Sequence, residues 1–149
     1  MTEVGFYHLG ATSLERALPR LLERALAEGH RVVVHAGSAE RVAHLDGLLW
    51  TYNDASFLPH GGARDSNAAT HPICLTDRDE NPNGATMLVL LDGAGSDHMG
   101  AFVRCCDMFD GNDPAAVDAA RRRWSAAKAA GHSLTYWQQT GAGWEKRGA

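Results

Sequence analysis

Apolar and polar positions change their period along this chain, from two to about three and a half and back. Residues 4–9, Val-Gly-Phe-Tyr-His-Leu, read as a first strand. Leu14, Ala17, Leu18, Leu21, Leu22, Ala25 and Leu26 then recur at spacings of three and four, the mark of a helix with one buried stripe. Thr12 and Glu15 have the spacing of a capping box at its start, and Gly29 suits its end. Pro19 removes a backbone bond inside that stretch, which predicts a late start or a kink. Residues 31–35, Arg-Val-Val-Val-His, form a β-branched strand, and Ser38 suits the cap of a helix over 39–50. A loop over 52–70, rich in Gly, Asn, Pro and Asp, precedes a short strand at 73–76. A polar turn over 77–84, a strongly apolar strand at 86–91, a short helix over 96–101 and a strand over 103–109 follow. Asp113-Pro114 is a strong helix start, with Asp as cap and Pro at the first helical position. That helix runs to Ala130 and stops at Gly131, and a last strand covers 133–139.

Strands alternating with helices predict an α/β fold with a mainly parallel sheet covered by helices on both faces. No internal repeat or linker interrupts the pattern, and 149 residues suit one compact domain. We expect that domain over 1–140 and a flexible Gly-rich tail over 141–149, in which Trp144 is the residue suited to docking. Hydrophobic residues at 44% and charged residues at 21% exclude a disordered or fibrous chain. With 14 basic and 18 acidic residues the net charge is −4, which argues against a general nucleic-acid coat. The longest apolar run, 87–91, falls far short of the roughly 20 residues of a membrane helix. The N-terminus has no signal-peptide pattern. Three cysteines, two of them adjacent, make no disulfide framework, and the expected compartment is the cytoplasm.

Such a fold invites a nucleotide site. Asp92-Gly93-Ala94-Gly95 follows the strand at 86–91 and gives Gly-x-Gly, but His98 stands where a dinucleotide fingerprint has its third Gly. No Gly-x-x-x-x-Gly-Lys-Ser/Thr loop is present. The eight histidines, His8, His30, His35, His44, His60, His71, His98 and His132, contain no His-x-x-x-His pair, and there is no Cys-x-x-Cys, so no metal site is expected. Cys105 and Cys106 point to opposite faces of a strand, which makes at least one of them core. There is no Gly-x-Ser-x-Gly elbow, and Asp77 and Asp79 fall in a polar turn where solvated carboxylates are the default.

Two features stand out more. On the helix from Pro114, Ala116, Ala120, Ala127 and Ala130 share a small face suited to close packing on a sheet, with Arg123 at its edge. Val117, Arg121, Trp124 and Lys128 form a separate stripe that combines apolar surface with positive charge. That stripe suits a peptide carrying carboxylates and a large apolar side chain; it is equally the pattern of a solvated arginine face with Trp124 turned into the core. The second feature is the run 48–60, in which Trp50, Tyr52 and Phe57 surround a polar loop. Core packing and an exposed aromatic interface both fit it.

The chain resembles the chi subunits of the bacterial DNA polymerase III holoenzyme over nearly its whole length. The resemblance rests on Phe6-Tyr7-His8-Leu9, on Leu49-Trp50 through Ser56-Phe57-Leu58-Pro59-His60, on residues 102–110, and on Ala120-Arg121-Arg122-Arg123-Trp124 through Ala130-Gly131-His132-Ser133-Leu134. It implies a Rossmann-like three-layer sandwich that binds no nucleotide, cofactor or metal and has no catalytic activity. It implies two partners: a psi subunit in a 1:1 pair, and the acidic, Phe-ended C-terminal tail of single-stranded DNA-binding protein. Residue by residue, Arg121 matches the arginine that holds the tail's carboxylates. Trp124 stands where the family commonly has Tyr, and Phe109 at an apolar position beside that pocket. Val117 departs from the pattern, which commonly has a basic residue there; Lys128 and Arg122 are the candidates to replace it. Trp50 and Phe57, with Pro59 and His60 beside them, match the psi-facing surface, which in this chain is also open to another replication or repair protein. Little direct nucleic-acid binding and no membrane contact are implied. The alternatives are a small nucleotide-binding or hydrolytic enzyme, motivated by Gly93 and Gly95, and single-stranded DNA binding through Arg121, Arg122 and Arg123, against which the net charge and the lack of an evident stacking platform weigh.

Overall fold

The computed structural model describes residues 2–53 and 58–148. Its elements run β1 (Glu3–Leu9), α1 (Leu14–Ala27), β2 (Val32–His35), α2 (Ala39–Thr51), β3 (His60–Gly62), β4 (Ile73–Thr76), β5 (Met87–Leu90), β6 (Arg104–Asp110), α3 (Pro114–Ala129), β7 (Ser133–Thr140) and β8 (Gly143–Gly148). All eight strands lie in one sheet, in the order β3-β4-β2-β5-β6-β1-β7-β8. Every pair is parallel except β7–β8.

Side-chain alternation builds two cores. Tyr7, Leu9, Val32, Val34, Cys106 and Met108 face α1 and α2, where Leu18, Leu22, Ala25, Leu45 and Leu49 close over them. Val4, Phe6, Val33, Cys105, Phe109 and Leu134 face α3, where Ala120 and Ala127 pack. The sheet is thus covered on both faces, and the central strand β2 is apolar on both sides for that reason. Cys105 and Cys106 point opposite ways, yet both are fully buried. Burial pushes their thiols up to about 12 and about 11, so neither is poised as a nucleophile.

Two expected caps form, and other local expectations change. Ser38 caps α2, its hydroxyl accepting from the Arg41 N–H, and Asp113 caps α3 through the Ala115 N–H. The capping box at α1 does not form. Thr12 Oγ1 instead accepts from Gln139 Nε2 at 2.7 Å, and Glu15 turns to Arg41. Pro19 sits buried inside α1 without ending it. The expected helix over 96–101 is one 3-10 turn, Met99–Ala101. Of the small face on α3, Ala120 and Ala127 are buried but Ala130 is exposed, because the helix leaves the sheet at Gly131 (φ 87°). The segment 141–149, expected as a flexible tail, carries β8, which extends the sheet antiparallel to β7. Trp144 does dock, its ring edge-on to Tyr7 with centroids 5.2 Å apart.

Candidate functional site

The α3 face of the sheet places Phe6 and His8 of β1, Phe109 of β6 and Tyr136 of β7 side by side, since β1 lies between β6 and β7. His8 Nδ1 meets the Tyr136 hydroxyl at 2.7 Å. Phe109 stands edge-on to His8 (5.4 Å) and to Tyr136 (6.2 Å). From α3, Trp124 reaches down to Phe6 (5.3 Å) and Tyr136 (5.9 Å), both edge-to-face, the favoured geometry for aromatic pairs. Trp124 and Val117 are half-buried against this core. Burial raises the Tyr136 hydroxyl, and the Arg121 guanidinium nearby opposes that rise. Burial also lowers the His8 ring, with Asp110 acting the other way.

Three of the five sequence-predicted residues of this site, Phe109, Arg121 and Trp124, therefore gather around Tyr136, and Val117 packs on the same core. Phe109 is buried and forms floor rather than wall. Val117 and Trp124 are the apolar rim, and Arg121 is exposed above them. Among the described residues Arg121 has no carboxylate within ion-pair distance, whereas Arg122 pairs with Asp118 at 3.6 Å. Lys128 is exposed one helical turn beyond Trp124. His8 and Tyr136 are the members that sequence reasoning missed. They lie 128 positions apart and meet only through the β1–β7 pairing. The only local hint is that His8 interrupts an otherwise apolar strand.

On the opposite end of the sheet, the second predicted surface divides. Trp50 is 56% exposed at the end of α2. His60 lies beneath it, ring centroids 4.8 Å apart, with its side chain fully buried. Its Nδ1 faces the Leu58 carbonyl oxygen at 2.6 Å and its Nε2 faces Asp46. Pro59 is half-buried beside it. Trp50 and Pro59 thus present surface, and His60 supports them. Phe57 lies outside the described residues.

The nucleotide reading has its own test at the C-terminal ends of β1 and β6, where open α/β sheets bind ligands. A cleft of about 770 Å³ opens there, lined by Gly10, Ala11, Thr12, Phe109 and the first turn of α3. The first strand-to-helix loop would be its phosphate cradle. Its three consecutive N–H groups, Gly10, Ala11 and Thr12, instead all donate to Gln139 Oε1, at 3.2, 3.0 and 2.9 Å. The chain has filled that anion position with its own amide oxygen. At the Gly-x-Gly loop, Asp92 (φ 56°) and Gly93 (φ 78°) make the turn. The Asp92 carboxylate is taken up by the Gly37 N–H and Arg41. No long helix follows to direct its N-terminus at a pyrophosphate. Among the described residues no three His, Cys, Asp or Glu side chains converge as a metal site, and no helix is long and apolar enough to cross a membrane.

Residues 1–135 match the family model for the DNA polymerase III chi subunit, HolC. The chain belongs to the chi family. It is 32% identical over 91 residues to a probable DNA polymerase III subunit chi of Rickettsia prowazekii, covering 61% of this chain and 55% of that protein. It is 27% identical over 137 residues to the DNA polymerase III subunit chi of Pseudomonas aeruginosa, covering 90% of this chain and 94% of that protein. The chain thus spans about half the length of the first of these relatives and nearly all of the second. The chi family match reaches from β1 to the start of β7, so Phe109 and all of α3 lie within it, while β8 lies beyond it.

Proposed function

We propose that this chain serves the cytoplasmic DNA polymerase III holoenzyme as a non-catalytic accessory subunit, and that it is an adaptor with two separate protein-binding surfaces. In this reading the exposed outer face of α3 takes the acidic C-terminal tail of single-stranded DNA-binding protein. Arg121 holds its carboxylates, a role for which the planar guanidinium fork is suited. Val117 and Trp124, over Phe109 and Tyr136, receive a large apolar side chain. Lys128 adds positive charge at one end. The observation that carries this is the exposure of Arg121, without a carboxylate partner among the described residues, directly above a half-buried aromatic cluster. The second surface, around Trp50 and Pro59 with Phe57 and the supporting His60, takes a psi-type subunit or another replication or repair protein. Two helices on one sheet face and one on the other support a Rossmann-like three-layer sandwich, put here to binding rather than to nucleotide chemistry.

The nucleotide-enzyme reading is disfavoured by the loop over 10–12, whose N–H groups Gln139 already occupies. The deciding experiment is calorimetric titration of the full chain with an acidic peptide ending in Phe with a free carboxylate, beside the same peptide lacking that Phe. Micromolar-range binding that needs the Phe and is lost in Arg121→Ala is expected. No binding to a folded chain overturns the α3 surface, and a thermal shift with a nucleotide would revive the enzyme reading.

A further inference from the structure

A second groove, of about 520 Å³, lies on the other face of the sheet, between α1 and the β7–β8 hairpin. It exists because α1 sits over β2 and β6, which leaves the outer strands on that face uncovered. Its apolar floor is aromatic. Tyr7 stacks parallel to Trp137 with centroids 6.3 Å apart, and Trp144 meets Tyr7 edge-on. Both indoles are half-buried, so each retains solvent-facing surface.

The wall is basic. Arg16, Arg20 and Arg24 repeat every four residues along α1, and all three line the groove and are exposed. Arg104 joins them from β6, held by the Tyr7 hydroxyl, which accepts from its Nη2 at 2.8 Å. Four of the chain's 14 basic residues thus line one groove in a protein of net charge −4. Among the described residues the one carboxylate lining it is Glu28, which approaches Arg104 only to 4.0 Å. Like charges at i, i+4 repel along a helix, so the row costs α1 some stability except at Arg24, which in the last turn suits the negative end of the helix dipole.

We propose that this groove binds single-stranded nucleic acid, with phosphates on Arg16, Arg20 and Arg24 and bases against Trp137 and Trp144. A rise of 1.5 Å per residue sets successive arginines about 6 Å apart, a ladder of evenly spaced cations for a chain that carries one anion per unit. A positively charged track beside aromatic platforms is how such strands are held without sequence preference. Each nucleotide supplies both a charge and a flat ring, which matches a wall of guanidiniums over a floor of indoles. A peptide of acidic residues alone, such as polyglutamate, matches only the wall. On α3 residues 121–123 form no such track, since Arg123 turns inward to Asp107 and Arg122 pairs with Asp118.

Trp137 and Trp144 also supply the readout. An oligothymidylate of about twelve nucleotides, within the usual site sizes, is titrated into the full chain while tryptophan fluorescence is followed. Saturable quenching is expected, with an affinity that falls steeply as salt rises. The R16A/R20A/R24A variant should bind at least ten-fold more weakly with a shallower salt dependence. Its thermal midpoint should not fall, and its binding of the acidic Phe-ended peptide should be unchanged. Trp144→Phe should lose part of the quenching. Arg20→Glu alone gives the same affinity readout should the triple variant fail to fold. Absence of saturable quenching, undiminished affinity in both arginine variants, or binding of a polyglutamate peptide to the arginine row with no binding of the oligonucleotide would overturn the proposal.

Discussion

Arg121 and Arg123 are two residues apart on α3 and have opposite circumstances. Arg123 turns inward and forms a bidentate pair with Asp107 of β6, Nε to Oδ2 at 2.6 Å and Nη2 to Oδ1 at 3.0 Å. The Asp107 side chain is only 3% exposed. Arg121 turns outward over Tyr136 and pairs with no carboxylate among the described residues. The inner arginine neutralises a charge that the sheet buries, so it belongs to folding. The outer one contributes little to the fold and leaves its fork of donors for a ligand. One helix thus carries both tasks on two stripes, and side-chain identity alone does not separate them: both are Arg, and Arg122 lies between.

The largest effect that tests this division is Arg123→Ala, which leaves Asp107 buried and uncompensated. It should cost about 3–5 kcal/mol of folding stability, measured by urea unfolding. The double variant R123A/D107L should recover a large part of that loss. A small cost for R123A would show the pair to be solvated and the inner stripe not structural. Arg121→Ala should behave the other way. Acidic-peptide affinity should fall by about 2 kcal/mol or more, and folding stability should change by no more than about 0.5 kcal/mol. Trp50→Ala, at the far end of the sheet, should likewise change stability within about 0.5 kcal/mol. It should leave peptide binding intact while weakening capture of a psi-type partner. If R121A and W50A affect both partners equally, the two surfaces are one.

The smallest effect is a pH dependence at His8. Burial lowers its ring below the ordinary histidine range, so the unfolded chain takes up this proton at a higher pH than the folded one. Stability from this group is therefore complete above about pH 6.5 and declines as pH falls through the window below it, levelling once the folded ring also protonates. His8→Gln should flatten that part of the stability profile, as read by urea unfolding across the window.

The regular elements were legible because their signals are local. The valine run of β2, the leucine stripe of α1 and the Asp113-Pro114 start of α3 each lie within one turn or one strand. What was missed depends on distant partners. β3 is His60-Gly61-Gly62, with no alternation to read. Its Gly61 leaves room for the His71 ring, whose Nε2 would lie 2.1 Å from an added Cβ unless the ring moved. β8 has Trp144 as its one large apolar residue and Gly at both ends. The capping box failed because α1 starts one residue later, with Ser13 at the cap, and Gln139, over a hundred residues away, takes the Thr12 hydroxyl and the N–H groups of residues 10–12. At the candidate site the α3 stripe was visible from its spacing, whereas the meeting of Tyr136 and His8 was not, since parallel pairing joins segments far apart in the chain and a polar residue in an apolar strand does not name its partner.

The position of β1 also sets an order of events during synthesis. Its sheet neighbours begin at Arg104 and Ser133, so the first strand emerges from the ribosome roughly a hundred residues before anything can pair with it. At about 5–20 residues per second, Phe6 and Tyr7 wait several seconds with both strand edges bare. Until β6 follows, this apolar segment has no native sheet partner. A message truncated before β7 would yield a protein whose innermost C-terminal seam is an open edge, prone to pairing with its neighbours.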